Sequence, residues 1–102
     1  MVLLEFSLYP TDKGESVSDY VKRNLEIIDE SGLPYRLGPM GTTLEGEWDE
    51  VMAVVTRCHE AMAADCGRIA CQIKIDYRKG RSGRLDAKVQ TLKDKSGRDL
   101  KT

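Results

Sequence analysis

Apolar and polar residues alternate from the second position: Val2, Leu4, Phe6 and Leu8 fall on one side, Leu3, Glu5, Ser7 and Tyr9 on the other. This period of two predicts a strand over residues 2–9. Pro10–Gly14 ends it with loop chemistry. The period then changes. Val17, Val21, Leu25 and Ile28 recur every three or four residues, widened by Tyr20 and Ile27, as on the buried stripe of a helix. Ser16 stands three residues before Asp19, the spacing of a capping box, and Gly32 and Pro34 supply a stop. Short strands are predicted at Tyr35–Leu37 and Thr42–Gly46, joined by the turn Gly38-Pro39-Met40-Gly41. Pro39 cannot donate to a ladder and so belongs at a sheet edge or bulge.

Glu47, Asp49 and Glu50 favour the positive end of a second helix, whose stripe is Val51, Val55, Cys58 and Met62 and whose end is Asp65-Cys66-Gly67. Residues 68–78 alternate again, with Ile69, Cys71, Ile73, Ile75 and Tyr77 opposite Ala70, Gln72, Lys74 and Asp76. A basic link, Lys79–Gly83, leads to a thin stripe of Leu85, Val89 and Leu92. So narrow an apolar face cannot hold a helix alone in water and must dock on something. The predicted order is β-α-β-β-α-β plus a C-terminal helix, an α+β, ferredoxin-like sandwich. One domain spans residues 1–95, and residues 96–102 form a frayed tail. Two helices cover one sheet face. The other carries Leu3, Glu5, Ser7 and Tyr9 with Gln72, Lys74 and Asp76, joined by Thr43 and Glu45 in the matching register. That half-polar surface suits a contact with a second copy of the chain.

With 102 residues, 40% hydrophobic and 32% charged, the chain fits one small domain that gains from oligomerisation. No run approaches the length of a membrane span, Glu5 interrupts the apolar start, and cytoplasmic residence is expected. Cys58, Cys66 and Cys71 form no C-x-x-C pair and point to reduced thiols, with Cys58 and Cys71 as small core residues. His59 is the single histidine; adjacent helix positions diverge by about 100°, so it does not face Cys58. No metal, cofactor or nucleophile–base pair is expected. The near-neutral total hides a divide. Residues 1–77 carry 7 basic and 14 acidic side chains, residues 78–102 carry 9 and 3. A basic end can bind nucleic acid, but this one has no aromatic residue to stack on bases. Arg78, Lys79, Arg81 and Arg84 are read as a solvated link, with phosphate capture the alternative.

Candidate chemistry concentrates in Pro39–Trp48, where two hydroxyls (Thr42, Thr43), a carboxylate (Glu45) and an indole (Trp48) fall near one sheet edge. Such a set suits recognition of a small polar ligand without catalysis. Each residue also has a structural reading. Glu45 is equally suited to accept amides at the start of the second helix, Trp48 to pack, and Asp76 to pair with Lys74, Arg78 or a second subunit. Ser7 is a solvated or interface hydroxyl with a speculative ligand role.

In Ser16-Val17-Ser18, Glu30-Ser31-Gly32-Leu33, Pro39-Met40-Gly41-Thr42 with Glu45-Gly46, and Ile73–Arg78, the chain resembles the small thiamine-binding protein family, from about Val2 to Lys95. The resemblance implies a homodimer or homotetramer that binds thiamine or its hydroxymethylpyrimidine moiety without catalysis. It carries over Thr42, Glu45 and Asp76. A carboxylate can accept from the aminopyrimidine, Thr42 or Thr43 can meet a ring nitrogen, and Trp48 or Tyr9 can stack or attract the thiazolium. The rival readings are a scaffold oligomer without ligand and a nucleic-acid binder using the basic tail.

Overall fold

The structure, a computed structural model, describes residues 1–102. Its elements are β1 (Val2–Pro10), α1 (Ser18–Glu30), β2 (Tyr35–Leu37), β3 (Thr42–Gly46), α2 (Trp48–Ala63), β4 (Ile69–Tyr77) and α3 (Arg84–Ser96). The four strands form one antiparallel sheet in the order β2-β3-β1-β4, the ferredoxin-like arrangement. Val2, Leu4, Phe6 and Leu8 share a face with Leu44, and α1 and α2 close over it with Ile28, Val51, Val54, Val55, Cys58 and Met62. Leu4 and Leu44 are wholly buried. Burying side chains of this size removes about 1.5–3 kcal/mol each from unfavourable contact with water. No helix is long and apolar enough to cross a membrane.

Several local expectations are corrected. The Ser16–Asp19 capping box does not form: α1 starts at Ser18 with Val17 as an uncapped N-cap, so packing of its apolar face positions the helix. Gly67 is not a left-handed cap. Helix α2 ends at Ala64 in right-handed geometry, and the Gly67 N–H donates to Asp12 Oδ2 at 2.7 Å. Gly32 does take the left-handed conformation, at φ 78°. At the start of α2 the Glu47 N–H donates to Glu50 Oε1 at 2.9 Å. Cys58 and Cys66 are buried but Cys71 is exposed, because β4 is an edge strand that the helices overhang incompletely.

The second sheet face is not left bare for a sister molecule along its whole length. Helix α3 folds back across it. Register places Glu45, Leu3 and Asp76 in one row on β3, β1 and β4. Arg84 bridges that row. Its N–H donates to Glu45 Oε2 at 2.8 Å, and its Nη2 donates to Asp76 Oδ2 at 2.5 Å. Leu3 lies under this bridge and is buried to 9% exposure. Leu85 and Val89 line a cleft with Leu3, so the first two residues of the thin stripe dock within their own chain, whereas Leu92 stays exposed.

Candidate functional site

The site begins with a mismatch of strand lengths. Strand β1 has nine residues and β3 five, and their last pair is Phe6 with Thr42. Past Phe6, β4 continues alongside β1 as far as Pro10, but β3 has already turned away. The turn stays close: the Gly38 N–H donates to Gly41 O at 2.9 Å. A side chain on Gly41 would stand 3.1 Å from the Phe6 carbonyl oxygen, and one on Gly38 would stand 2.9 Å from Gly41 O. Close backbone approach therefore disfavours any side chain at Gly38 and crowds one at Gly41.

The vacated space is a cleft of about 330 Å³, within the range of small-ligand sites. Its floor is Phe6–Tyr9 of β1, one wall is the turn Leu37–Thr42, and the other is the face of α1 from Val17 to Ile28. Val17, Val21 and Leu25 therefore face the cleft and stay half-exposed, whereas Ile28, one turn on, is sealed in the core. Polar groups are few. Thr42 and Asn24, each 6% exposed, and Ser7 with Gln72 are the side-chain contributors. Ser7 Oγ donates to Gln72 Oε1 at 3.0 Å across β1 and β4. A mostly apolar lining with a few fixed polar groups is the usual make-up of a site for a small flat molecule.

The sequence-predicted residues separate into distinct places. Thr42 and Ser7 line this cleft, as does Tyr9. Thr43 points to the opposite sheet face, since neighbouring strand residues alternate, and lines a second, more polar cleft of about 250 Å³ beneath α3. Asp76 borders that second cleft, its carboxylate held by Arg84 and, through Oδ2 at 2.6 Å, by Lys88. Asp76 thus pairs with α3, where Lys74 and Arg78 had been expected. The Lys88 and Arg84 hydrogen bonds hold its carboxyl below the usual range. Glu45 receives the first amide of α3, where the start of α2 had been its expected structural partner. Trp48 is 54% exposed at the start of α2 and lines neither cleft.

Arg84, read from the sequence as part of a solvated link, is instead buried and organises both carboxylates, which nothing in a run of basic residues marks out. Asn24 was missed. Asn24 had a readable signal: it is an amide inside the apolar stripe that also contains Val17, Val21 and Ile28. No group of three His, Cys, Asp or Glu side chains is arranged to hold a metal ion.

Comparison with known proteins adds to this geometry. Residues 4–93 match the model of a family described as thiamine-binding protein. The UPF0045 protein Mb1933 of Mycobacterium bovis is 41% identical over 92 residues, covering 89% of this chain and 90% of that protein. The crystal structure of MJ1052, a hypothetical protein of Methanocaldococcus jannaschii, superposes with a TM-score of 0.83 at 34% identity, over 89% of this chain and 94% of that one. TM0486 of Thermotoga maritima, described under thiamine biosynthesis/salvage, superposes with a TM-score of 0.75 at 26% identity, over 87% and 97%.

Proposed function

The chain belongs to the thiamine-binding protein family, and from that premise we propose that it binds thiamine, or the hydroxymethylpyrimidine half of it, in the cleft between α1 and the β2–β3 turn. The observation that carries this reading is the cleft's origin. Pro39-Met40-Gly41-Thr42, part of the family likeness, is also the segment that walls it. The aminopyrimidine lies against the apolar wall of Val21, Leu25 and Leu37, with Thr42 at its polar edge and Tyr9 beside it. Glu45 and Asp76 serve a different purpose, holding α3. The role is binding and release without chemical change.

A homo-oligomer fits the same geometry. Helix α3 covers the Leu3 end of the open face and leaves the Ser7–Gln72 end uncovered. Met40, 88% exposed, borders both the ligand cleft and a shallow depression over Ser7, Gln72 and Lys74 on that uncovered end. So large an exposed apolar side chain beside a polar rim suits burial by a second copy, which would also close the cleft mouth.

Isothermal titration with thiamine and with the free pyrimidine tests the reading. Saturable heat is expected, and Thr42→Val should weaken it at least about tenfold, the scale of a lost hydrogen bond to a buried polar group. Absence of heat up to millimolar ligand would return the protein to a scaffold role.

A further inference from the structure

We propose that Asn24 is the specificity-determining residue of the cleft and selects heterocycles that carry an exocyclic amino group beside a ring nitrogen. The inference rests on the binding role assigned above and asks which edge of the ligand is read. The Asn24 Nδ2 donates to the Leu8 carbonyl at 2.8 Å. A carbonyl only accepts, so this bond fixes which end of the amide is nitrogen and which is oxygen. The bond exists because of the strand mismatch. The Thr11 N–H donates to Arg68 O across β1 and β4, and alternation then turns the Leu8 backbone toward the side where β3 has ended. Asn24 takes the place of the missing strand for the Leu8 carbonyl, and the Leu8 N–H keeps no strand partner.

That arrangement leaves Asn24 Oδ1 committed in direction but unused. No donor in the protein reaches it, and it is not sealed inside the core. The residue is 6% exposed and lines the cleft, so the oxygen opens there. Thr42 Oγ1, on a residue equally buried, is likewise free of protein partners and open. The cleft thus offers a fixed acceptor and a rotatable hydroxyl. A 4-aminopyrimidine presents the complement, an N–H for Oδ1 and a ring nitrogen that accepts from the hydroxyl. A 4-oxo ring presents a carbonyl where Oδ1 needs a donor. Sites built to hydrogen-bond a ligand discriminate strongly against an analogue with that pattern inverted.

Titration of the unmodified full chain with thiamine and with its 4-oxo analogue, oxythiamine, decides the matter. Thiamine is expected to bind at least about tenfold more tightly. In Asn24→Leu, which keeps similar bulk, the ratio should fall toward one. The bond to Leu8 O is also lost, so thermal unfolding of the variant is followed in parallel. A residue that only supports the fold would lower stability and leave the ratio intact, which would overturn the inference. Equal affinity of the unmodified chain for both ligands would overturn it too, while leaving the binding role standing, and needs no variant. Binding of neither ligand would remove both.

Discussion

Arg84 shows how one side chain can reassign two others. It is 5% exposed, and its guanidinium and backbone together engage Glu45 and Asp76 across Leu3. Carboxylates near a candidate site read from sequence as ligand acceptors, because the chemistry of accepting from a ligand amine and from a helix amide is the same. Only the position of α3 separates the two. Glu45→Ala should therefore lower stability by about 1–2 kcal/mol in urea unfolding, the usual cost of a lost helix-start acceptor, and leave thiamine affinity in the cleft within about twofold. A tenfold loss of affinity would restore Glu45 to the ligand. In the core, Leu4→Ala should cost about 2–5 kcal/mol, since Leu4 is wholly buried at the centre of the cluster. The thiols provide a third check. Burial pushes Cys58 up to about 11, and Cys66 is buried, whereas Cys71 lies exposed on β4. Iodoacetamide at pH 8 should label Cys71 in the native protein, and the other two only after denaturant is added.

At the scale of elements, α1 and α3 follow opposite logic. Helix α1 was legible as a helix, but its stripe divides: Ile28 is buried and Leu25 packs against the core, whereas Val17 and Val21 wall the cleft, and the left-handed Gly32 follows its end. Its exact start was not, because an unpaired side chain such as Ser16 looks the same in sequence as a working cap. Helix α3 was legible as a helix that must dock, but not where. Its docking depends on charge as well as on Leu85 and Val89. Arg84 and Lys88 hold Asp76, and Arg36 of β2 pairs with Asp86. The folded state holds the Asp76 carboxyl below its ordinary value, so its contribution is present above the unfolded value, about 3.9, and fades as pH falls through the lower folded value. Amide protection of α3, corrected for the intrinsic exchange rate at each pH, should therefore fall below about pH 4 before that of β1. Protection that stays unchanged in α3 until global unfolding would show that apolar contact alone holds it.

At the scale of the whole molecule, α3 leaves the Ser7–Gln72 end of the sheet uncovered beside the exposed Met40. Association through the Met40 and Ser7–Gln72 surface predicts that Met40→Asp shifts the protein toward monomer in light scattering after size exclusion, and weakens thiamine binding with it. A mutant that stays associated would move the contact elsewhere. The alternation of apolar residues, the glycine and proline breaks and the two helical stripes determined the α+β order and its core, because these signals are local and each element carries its own period. Of the Pro39–Trp48 segment singled out in the sequence, only the turn Pro39–Thr42 borders the candidate cleft. Tertiary structure alone decided which end of β1 is left without β3, that Asn24 fills the gap, and that α3 claims Glu45 and Asp76. Those outcomes depend on strand register and on contacts such as that between residues 45 and 84, which have no periodic trace in the chain.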